Sequence, residues 1–212
     1  MQLFLTSTGL PPETSSFFLK LLDRPTKDYT VAFIPTAGDP YDDKWFVKED
    51  LDRLKELGFQ VNTVDLKQDK QVIQELLINS QIVYVAGGNT FYLLDWVKKS
   101  GLDSYLKRLL DQGRIYIGAS AGSILAGPDI KSSSWGNGGD KNDVKLKDTK
   151  GLNLVPFVIH PHFTDKNRPI LQKHLSKIKY DIIPITDSQA IYYHDGDWQL
   201  VGEGEKISLT KK

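Results

Sequence analysis

The sequence contains no cysteine, and this absence excludes disulfide bonds, thiolate-held metal sites and a cysteine nucleophile. An excess of charge of one sign is also missing, because 27 Lys and Arg residues balance 27 Asp and Glu residues. Nucleic-acid-binding domains usually carry a basic surface, so we expect no nucleic-acid partner. For the same reason we expect no electrostatic attachment to a membrane.

Long apolar runs are missing as well. No stretch approaches the roughly 18 continuous apolar residues of a membrane-spanning helix. Residues 1–6 lack the basic region and the long apolar core of a signal peptide, so we expect a cytoplasmic protein. The 212 residues, 40% of them hydrophobic, suit a single domain over 1–212 that buries its own core.

Short apolar segments alternate with longer amphipathic segments in the N-terminal part of the chain. The predicted strands are residues 3–6, 31–35, 60–64, 82–86 and 115–118. The predicted helices are residues 13–22, 43–57, 70–79 and 90–112, the last broken at Ser100-Gly101. This alternation predicts a doubly wound α/β fold, whose mostly parallel sheet has helices on both faces. The ligand site of such a fold lies at the carboxyl ends of the strands.

The C-terminal part of the chain has a different pattern. Residues 132–150 are rich in polar residues and glycine, which predicts a long loop. After it we predict a strand at 157–159 and a helix at 169–178. Further strands are predicted at 182–185, 190–193, 199–201 and 206–209, and the Asp195-Gly196 turn is typical of a β-hairpin.

Residues 115–125 read as strand, tight turn and helix around the segment Gly118-Ala119-Ser120-Ala121-Gly122. This segment fits the G-x-S-x-G nucleophile elbow, in which small residues let the backbone turn sharply beneath an exposed serine. The pattern predicts that Ser120 is a nucleophile. The backbone N–H of Ala121 would then help to stabilise the oxyanion that forms on attack.

A second glycine-rich turn, Gly87-Gly88-Asn89-Thr90, follows the predicted strand at 82–86. Neighbouring parallel strands release their loops on the same edge of a sheet, so Gly88 is a candidate for the second oxyanion N–H. Asn89 is expected either to cap the following helix or to contact substrate. The alternative is a plain left-handed turn, which also favours glycine.

A serine nucleophile needs a neighbouring base, and the chain has four histidines. His174 lies in a polar helical segment and His194 in a hairpin end. His160 and His162 flank Pro161 directly after an apolar strand, where catalytic residues gather in α/β folds, and His162 is the preferred base. A metal site would need a third ligand near this pair, and none is evident, so we predict no metal.

The base in turn needs an orienting group, usually a carboxylate. Asp187 follows the apolar strand predicted at 182–185, as Ser120 and His162 follow theirs. Asp187 is therefore the preferred acid, but spacing alone does not separate it from Asp165, which stays open at this point.

Three ordered motifs, Gly-Gly-Asn-Thr at 87–90, Gly-x-Ser-Ala-Gly at 118–122 and Pro-His-Phe-Thr at 161–164, resemble the peptidase E and cyanophycinase family of serine peptidases. The likeness extends over about residues 1–200. It implies the class I glutamine-amidotransferase-like α/β fold, with serine in place of cysteine. It further implies that Ser120 is the nucleophile, that His162 is the base, and that the N–H groups of Gly88 and Ala121 form the oxyanion hole.

The resemblance also bears on the acid and on the substrate. The acidic member in this family is often Glu and follows the next apolar strand, where this chain has Asp187. The aspartyl dipeptidases of the family recognise an N-terminal Asp through an Arg on the helix after Pro-His-Phe-Thr, and Arg168 is the nearest equivalent. They also carry an acid in the loop after the elbow, whereas residues 130–135 contain none.

The combined prediction is a cofactor-independent serine peptidase that cleaves small peptides, with dipeptides bearing an acidic N-terminal residue as one option. We expect it to act as a monomer or homodimer. One alternative is an α/β-hydrolase-type esterase, in which the chain order Ser, acid, His would make His194 the base. The other is a binding protein that kept the amidotransferase-like fold without chemistry.

Overall fold

The computed structural model describes residues 1–136 and 138–209, and this part forms nine strands and seven α-helices. The strands are β1 (Gln2–Thr6), β2 (Thr30–Ile34), β3 (Gln60–Thr63), β4 (Ile82–Val85), β5 (Ile115–Ala119), β6 (Val158–His160), β7 (Ile182–Pro184), β8 (Gln189–His194) and β9 (Asp197–Gly202). The helices are α1 (Pro12–Lys20), α2 (Trp45–Glu56), α3 (Lys70–Ile78), α4 (Thr90–Ser100), α5 (Leu102–Asp111), α6 (Ala121–Ala126) and α7 (Arg168–Leu175).

Seven strands form the central sheet in the order β3-β2-β4-β5-β1-β8-β9. The first five are parallel, and the hairpin β8–β9 adds two antiparallel strands at one edge. Side chains alternate between the two faces, as β1 illustrates: Leu3 and Leu5 join one apolar cluster, and Phe4 joins the other. Both faces are therefore covered, which confirms the predicted doubly wound, mostly parallel α/β fold.

The predicted interruption in residues 90–112 is confirmed, because α4 ends at Ser100 and α5 begins at Leu102. Gly101 between them has φ 76°, a left-handed conformation that glycine adopts without steric cost. The hairpin turn at Asp195-Gly196 is also confirmed. None of the helices in the described ranges combines the length and apolarity needed to cross a bilayer.

The strands predicted near 157–159 and 182–185 are confirmed, and they form a separate parallel pair, β6–β7, outside the central sheet. The strand predicted at 206–209 is wrong. Gly202 and Gly204, with φ of 99° and 86°, turn the chain away from β9, and the Ser208 carbonyl accepts a hydrogen bond from an arginine side chain.

The central strands bring several loops to one edge of the sheet. Thr6 pairs with Ala119, and Val85 pairs with Gly118, so β1, β4 and β5 end side by side. Ser7, Gly87 and Ser120 therefore leave the sheet at the same edge. The chain after α6 runs through a short 3-10 turn (Lys131–Ser134) and an irregular stretch that folds back over the start of α4.

Candidate active site

Ser120 occupies the turn between β5 and α6 in a strained backbone conformation, with φ 46° and ψ −104°. The glycines on either side are required sterically. A Cβ on Gly118 would lie 2.6 Å from the Gly122 carbonyl carbon, and a Cβ on Gly122 would lie 2.2 Å from the Val85 carbonyl oxygen. This is the backbone geometry of a nucleophile elbow.

Two buried hydroxyls hold the elbow in place. Tyr116 on β5 donates to the Gly122 carbonyl at 2.7 Å. The Ser123 hydroxyl approaches the Thr6 and Gly118 carbonyls at 2.7 and 2.6 Å and so ties α6 to the ends of β1 and β5. Strained conformations persist where the surrounding contacts determine them, and these contacts do so here.

His162 follows β6 and presents its imidazole to Ser120, with Nε2 2.9 Å from the serine Oγ. Its backbone φ is 56°, an uncommon value for a residue with a side chain. The His162 N–H donates to the Ser7 hydroxyl at 2.8 Å, and Asn167 donates to the His162 carbonyl at 3.3 Å. These bonds hold the peptide unit that aims the imidazole.

Asp187, in the turn between β7 and β8, completes the hydrogen-bonded chain, with its Oδ1 2.7 Å from His162 Nδ1. The hydrogen bond with His162, joined by one from the Ser7 hydroxyl, lowers the pKa of this carboxyl below its ordinary value. The other candidate acid, Asp165, instead pairs with Arg168 at 2.8 Å. The structure thus brings Asp187, rather than Asp165, to the imidazole.

Ser7 is a member of this cluster that sequence reasoning missed. Its hydroxyl donates to Asp187 Oδ1 at 2.6 Å and lies 3.2 Å from His162 Nδ1. The side chain is buried, and the residue directly follows β1. The available signal was its position, since Ser7 follows an apolar strand as Ser120 and Asp187 do.

The Gly87-Gly88 turn packs against the nucleophile. A Cβ on Gly87 would lie 3.2 Å from the Ser120 Cβ. Gly88 has φ 135°, and a Cβ there would lie 2.1 Å from the Ala37 carbonyl oxygen. Among the described residues, no protein acceptor binds the Gly88 N–H, and the first N–H groups of α6, which include that of Ala121, have no intrahelical acceptor.

The two residues predicted to bind substrate lie elsewhere. Asn89 caps α4, since its Oδ1 accepts from the Tyr92 N–H at 2.9 Å, and its Nδ2 donates to the Lys141 carbonyl at 3.0 Å. The Arg168 guanidinium binds Asp165 and the Ser208 carbonyl, the latter at 3.1 Å. Within the described structure, neither residue lines the cavity at Ser120.

The remaining histidines do not join the cluster. His194 pairs with Gln2, at the opposite end of β1 from the Thr6–Ala119 pair, so it lies at the far edge of the sheet from Ser120. His160 is buried, and this burial, together with the charge of His162, lowers its pKa to about 4. Over residues 1–136 and 138–209, no group of three His, Asp or Glu side chains is arranged to hold a metal ion.

A cavity of about 330 Å³ opens beside Ser120. One side carries the nucleophile, the imidazole and the two glycines, and the other side is formed mainly by the start of α2. The lining residues on the α2 side include Tyr41, Trp45, Phe46, Glu49 and Asp50. Burial raises the pKa of the Asp50 carboxyl to about 7 and also raises the pKa of Asp140, on the cavity wall.

The hydrogen-bonded order Ser120, His162, Asp187 corresponds to the arrangement with which serine hydrolases activate their nucleophile. The imidazole is within reach of the hydroxyl proton, and the carboxylate is on the opposite ring nitrogen. Gly88, whose N–H has no protein acceptor within the described ranges, lines the same cavity. The arrangement is therefore equipped for acyl transfer at a carbonyl group.

Comparison with known proteins agrees with this chemistry. Residues 3–201 match the model of peptidase family S51. An uncharacterized peptidase of Listeria monocytogenes is 33% identical over 167 residues, which cover 77% of this chain and 81% of the relative. Peptidase E of Shigella flexneri is 36% identical over 185 residues, which cover 82% of this chain and 74% of the relative.

Solved structures share the fold. A candidate peptidase E protein from Listeria monocytogenes EGD-e has a TM-score of 0.82 and 29% identity, with 98% of both chains covered. A peptidase from an acI-B1 Actinobacterium has a TM-score of 0.72 at 19% identity, which indicates the fold alone, over 100% of this chain and 91% of that one. The strained serine elbow and the match over residues 3–201 lead to one conclusion: the chain belongs to peptidase family S51 and is a serine-type peptidase.

Proposed function

We propose that this peptidase hydrolyses small peptides through an acyl-enzyme formed on Ser120. The hydrogen-bonded chain from Ser120 Oγ to His162 Nε2, at 2.9 Å, and from His162 Nδ1 to Asp187, at 2.7 Å, carries the proposal. A serine hydroxyl is a weak nucleophile at its own pKa and becomes reactive only beside a base that a third group orients.

In the first half of the reaction, His162 Nε2 takes the Ser120 proton while Oγ attacks the scissile carbonyl. The carboxylate of Asp187 stabilises the imidazolium, and the N–H groups of Gly88 and Ala121 donate to the carbonyl oxygen as it becomes negative. His162 then gives the proton to the departing amine, and the C–N bond breaks. The acyl group remains as an ester on Ser120.

In the second half, water takes the place of the amine. His162 removes a proton from this water, which attacks the ester carbonyl, and the imidazolium returns the proton to Ser120 Oγ as the acid product leaves. No step needs a cofactor. All proposed participants belong to one chain, so a monomer is sufficient, and a homodimer would not change the chemistry.

The size of the cavity supports a small substrate. Its volume of about 330 Å³ is near the lower end for small-molecule sites. The family's preference for an acidic N-terminal residue has no equivalent support here, because Arg168 is bound to Asp165 outside the cavity. The proposal is therefore a small-peptide hydrolase without that preference.

The test is a comparison of wild type with Ser120→Ala on a dipeptide library and on a fluorophosphonate probe. Wild type should cleave members of the library and become labelled at Ser120, and the variant should do neither. Ser80→Ala is the matched control, since Ser80 is buried and its hydroxyl donates to the Leu76 carbonyl at 2.8 Å, away from the site. Unchanged hydrolysis by Ser120→Ala would refute the mechanism.

The same assays, extended to two histidine variants, separate the alternative functions. An esterase that used His194 would lose activity with His194→Ala and keep it with His162→Ala, whereas we expect the reverse. A binding protein without chemistry would leave both the library and the probe unreacted.

A further inference from the structure

We propose that Asp50 forms a subsite that binds an ammonium group on the acyl part of the substrate. This inference rests on the proposed function, because it assumes that the substrate carbonyl lies at Ser120. Asp50 belongs to α2 and lines the same cavity as Ser120. The ammonium group has two sources in a peptide, the free α-amine and a lysine side chain, and the experiment below distinguishes them.

The described lining of the cavity is acidic. It contains the carboxyls of Glu49, Asp50 and Asp140, and within it His162 is the one basic side chain, with no Lys or Arg beside it. A cavity with one sign of charge and low-dielectric walls concentrates ligands of the opposite sign. The same charge disfavours a substrate with an acidic side chain at this place.

Asp50 differs from the other two carboxyls because its neighbouring polar group is the Tyr84 hydroxyl rather than a cation or a backbone N–H. Glu49 forms an ion pair with Arg53 at 2.8 Å, and Asp140 accepts from the Thr90 N–H at 2.8 Å. For Asp50, no ion pair occurs within the described ranges, and burial without such a partner raises its pKa to about 7. A buried carboxyl in this state gains most from a cation that enters beside it.

Tyr84 adds a hydroxyl next to Asp50, and this hydroxyl acts to lower the pKa of the carboxyl, against the larger effect of burial. The side chain is buried, and across the described chain no partner meets hydrogen-bond geometry with its Oη. Gly9 packs closely against both groups: with φ 73°, it lacks the Cβ that would lie 2.2 Å from Asp50 Oδ1 and 2.8 Å from Tyr84 Oη. A carboxylate and a phenol oxygen can both accept from the three N–H bonds of an ammonium group.

Aromatic rings complete the surroundings of this carboxyl. Tyr41, Trp45 and Phe46 line the cavity, and the Phe46 ring centroid lies 5.7 Å from that of Tyr41 and 5.9 Å from that of Trp45. Trp45 is 63% exposed, which is unusual for a side chain of this size. Aromatic faces attract ammonium groups through the ring quadrupole and also contact their aliphatic carbons.

The position of the base indicates which part of the substrate meets Asp50. The departing amine must lie beside His162, which protonates it. Within the described ranges Asp50 forms no ion pair with His162, and it belongs to α2, a different element of the cavity wall. Asp50 is therefore assigned to the acyl residue.

The experiment uses four p-nitroanilides, so that the leaving group is constant. Alanine p-nitroanilide and its N-acetyl derivative differ in the α-amine, and N-acetyl-lysine and N-acetyl-norleucine p-nitroanilides differ in the side-chain ammonium. Each is assayed with wild type, with Asp50→Asn and with Asp52→Asn as control. Asp52 lies on the same helix but is paired with Lys48 away from this cavity.

We expect wild type to prefer the ammonium-bearing member of at least one pair by about tenfold or more in kcat/KM, which is the usual scale of a charge-assisted hydrogen bond. Asp50→Asn should lower kcat/KM for the ammonium-bearing member far more than for its neutral partner and so abolish that preference, and Asp52→Asn should retain it. The pair that shows the preference identifies the α-amine or the lysine side chain as the ligand.

Three results would overturn the inference: no preference in wild type, a preference that survives in Asp50→Asn, or an equal loss on all four substrates. The wild-type comparison stands even if the variant folds poorly, which thermal denaturation would reveal. Failure of the proposed function would give a different result. Either Ser120→Ala would still hydrolyse the substrates, or wild type would react with neither the fluorophosphonate probe nor any substrate.

Discussion

Replacement of Ser7 by alanine tests how far the base and the acid depend on a residue outside the three-member chain. The Ser7 hydroxyl donates to Asp187 at 2.6 Å and accepts from the His162 backbone N–H at 2.8 Å. Ser7→Ala removes both bonds and leaves the other side chains in place. We therefore expect a loss in the chemical step, with little change in substrate binding.

The magnitude follows from the charge of the acceptor. A hydrogen bond to a charged group contributes about 1.5–3 kcal/mol. Since 1.36 kcal/mol corresponds to a factor of ten in rate, the loss of this bond should lower kcat by about 10- to 100-fold. KM should stay within about twofold of wild type, because the Ser7 hydroxyl bonds to Asp187 and His162, and other residues form most of the cavity wall that the substrate contacts.

The pH profile provides a second readout that a purely structural effect would not produce. The hydrogen bond with His162, followed by that with Ser7, holds the pKa of Asp187 below its ordinary value. Without the Ser7 hydroxyl that pKa rises, so Asp187 becomes protonated at higher pH as the solution is acidified. The acid limb of the kcat profile should therefore shift to higher pH.

The assay is steady-state hydrolysis of the best library dipeptide from the lowest pH at which both enzymes stay folded, below pH 4 if possible, up to pH 9, with Ser80→Ala as the matched loss of a buried hydroxyl. Thermal denaturation of both variants separates a loss of catalysis from a loss of folding. A Ser7→Ala enzyme with kcat within twofold of wild type and an unshifted acid limb would refute the reasoning.

Three further predictions follow from the same geometry. Asp187→Asn should lower kcat by about 10³- to 10⁴-fold. Asp165→Asn removes only a surface ion pair, so its kcat should stay within about twofold of wild type. Comparable losses of kcat in the two variants would contradict the assignment. Gly122→Ala should lower the free energy of unfolding by more than about 2 kcal/mol, because the new Cβ would lie 2.2 Å from the Val85 carbonyl oxygen. A urea denaturation midpoint equal to that of wild type would show that the elbow does not require glycine at this position. Asp50 has a folded-state pKa of about 7, above its unfolded value, so the unfolded chain releases this proton at lower pH than the folded protein does. The free energy of unfolding should therefore fall as the pH rises from about 4 to about 7, by no more than about 4 kcal/mol. Asp50→Asn should lack this part of the pH dependence, and identical slopes for variant and wild type would disprove the linkage.

The fold class and two members of the candidate site could be predicted because their signals are local. Strand and helix periodicity is set by the positions of apolar residues along one segment, and each segment largely folded as its pattern indicated. The elbow around Ser120 is also local, since its glycines are needed for contacts within one strand–turn–helix unit and with the adjacent strand. His162 followed from its place after an apolar strand and from the Pro-His-Phe-Thr motif.

Features that depend on which loops meet in space could not be obtained in this way. Asp165 and Asp187 have similar local sequence contexts, and the structure separates them by pairing one with Arg168 and the other with His162. Arg168 itself looked suited to a substrate, but its partners come from its own turn and from the distant Ser208.

The sequence by itself thus determined a doubly wound α/β fold with a serine at a strand–helix turn, because short-range sterics and apolar periodicity are written in consecutive residues. Only the tertiary structure decided that Ser7, directly after β1, joins His162 and Asp187, and that Asp50, from α2, faces the cavity at Ser120. Those residues are far apart along the chain. Parallel pairing of β1 with β5 places Ser7 beside Ser120, whereas His162 and Asp187 follow the separate pair β6–β7 and Asp50 belongs to a helix. The charge of the cavity, and with it the proposed ammonium selectivity, is a property of that assembled edge.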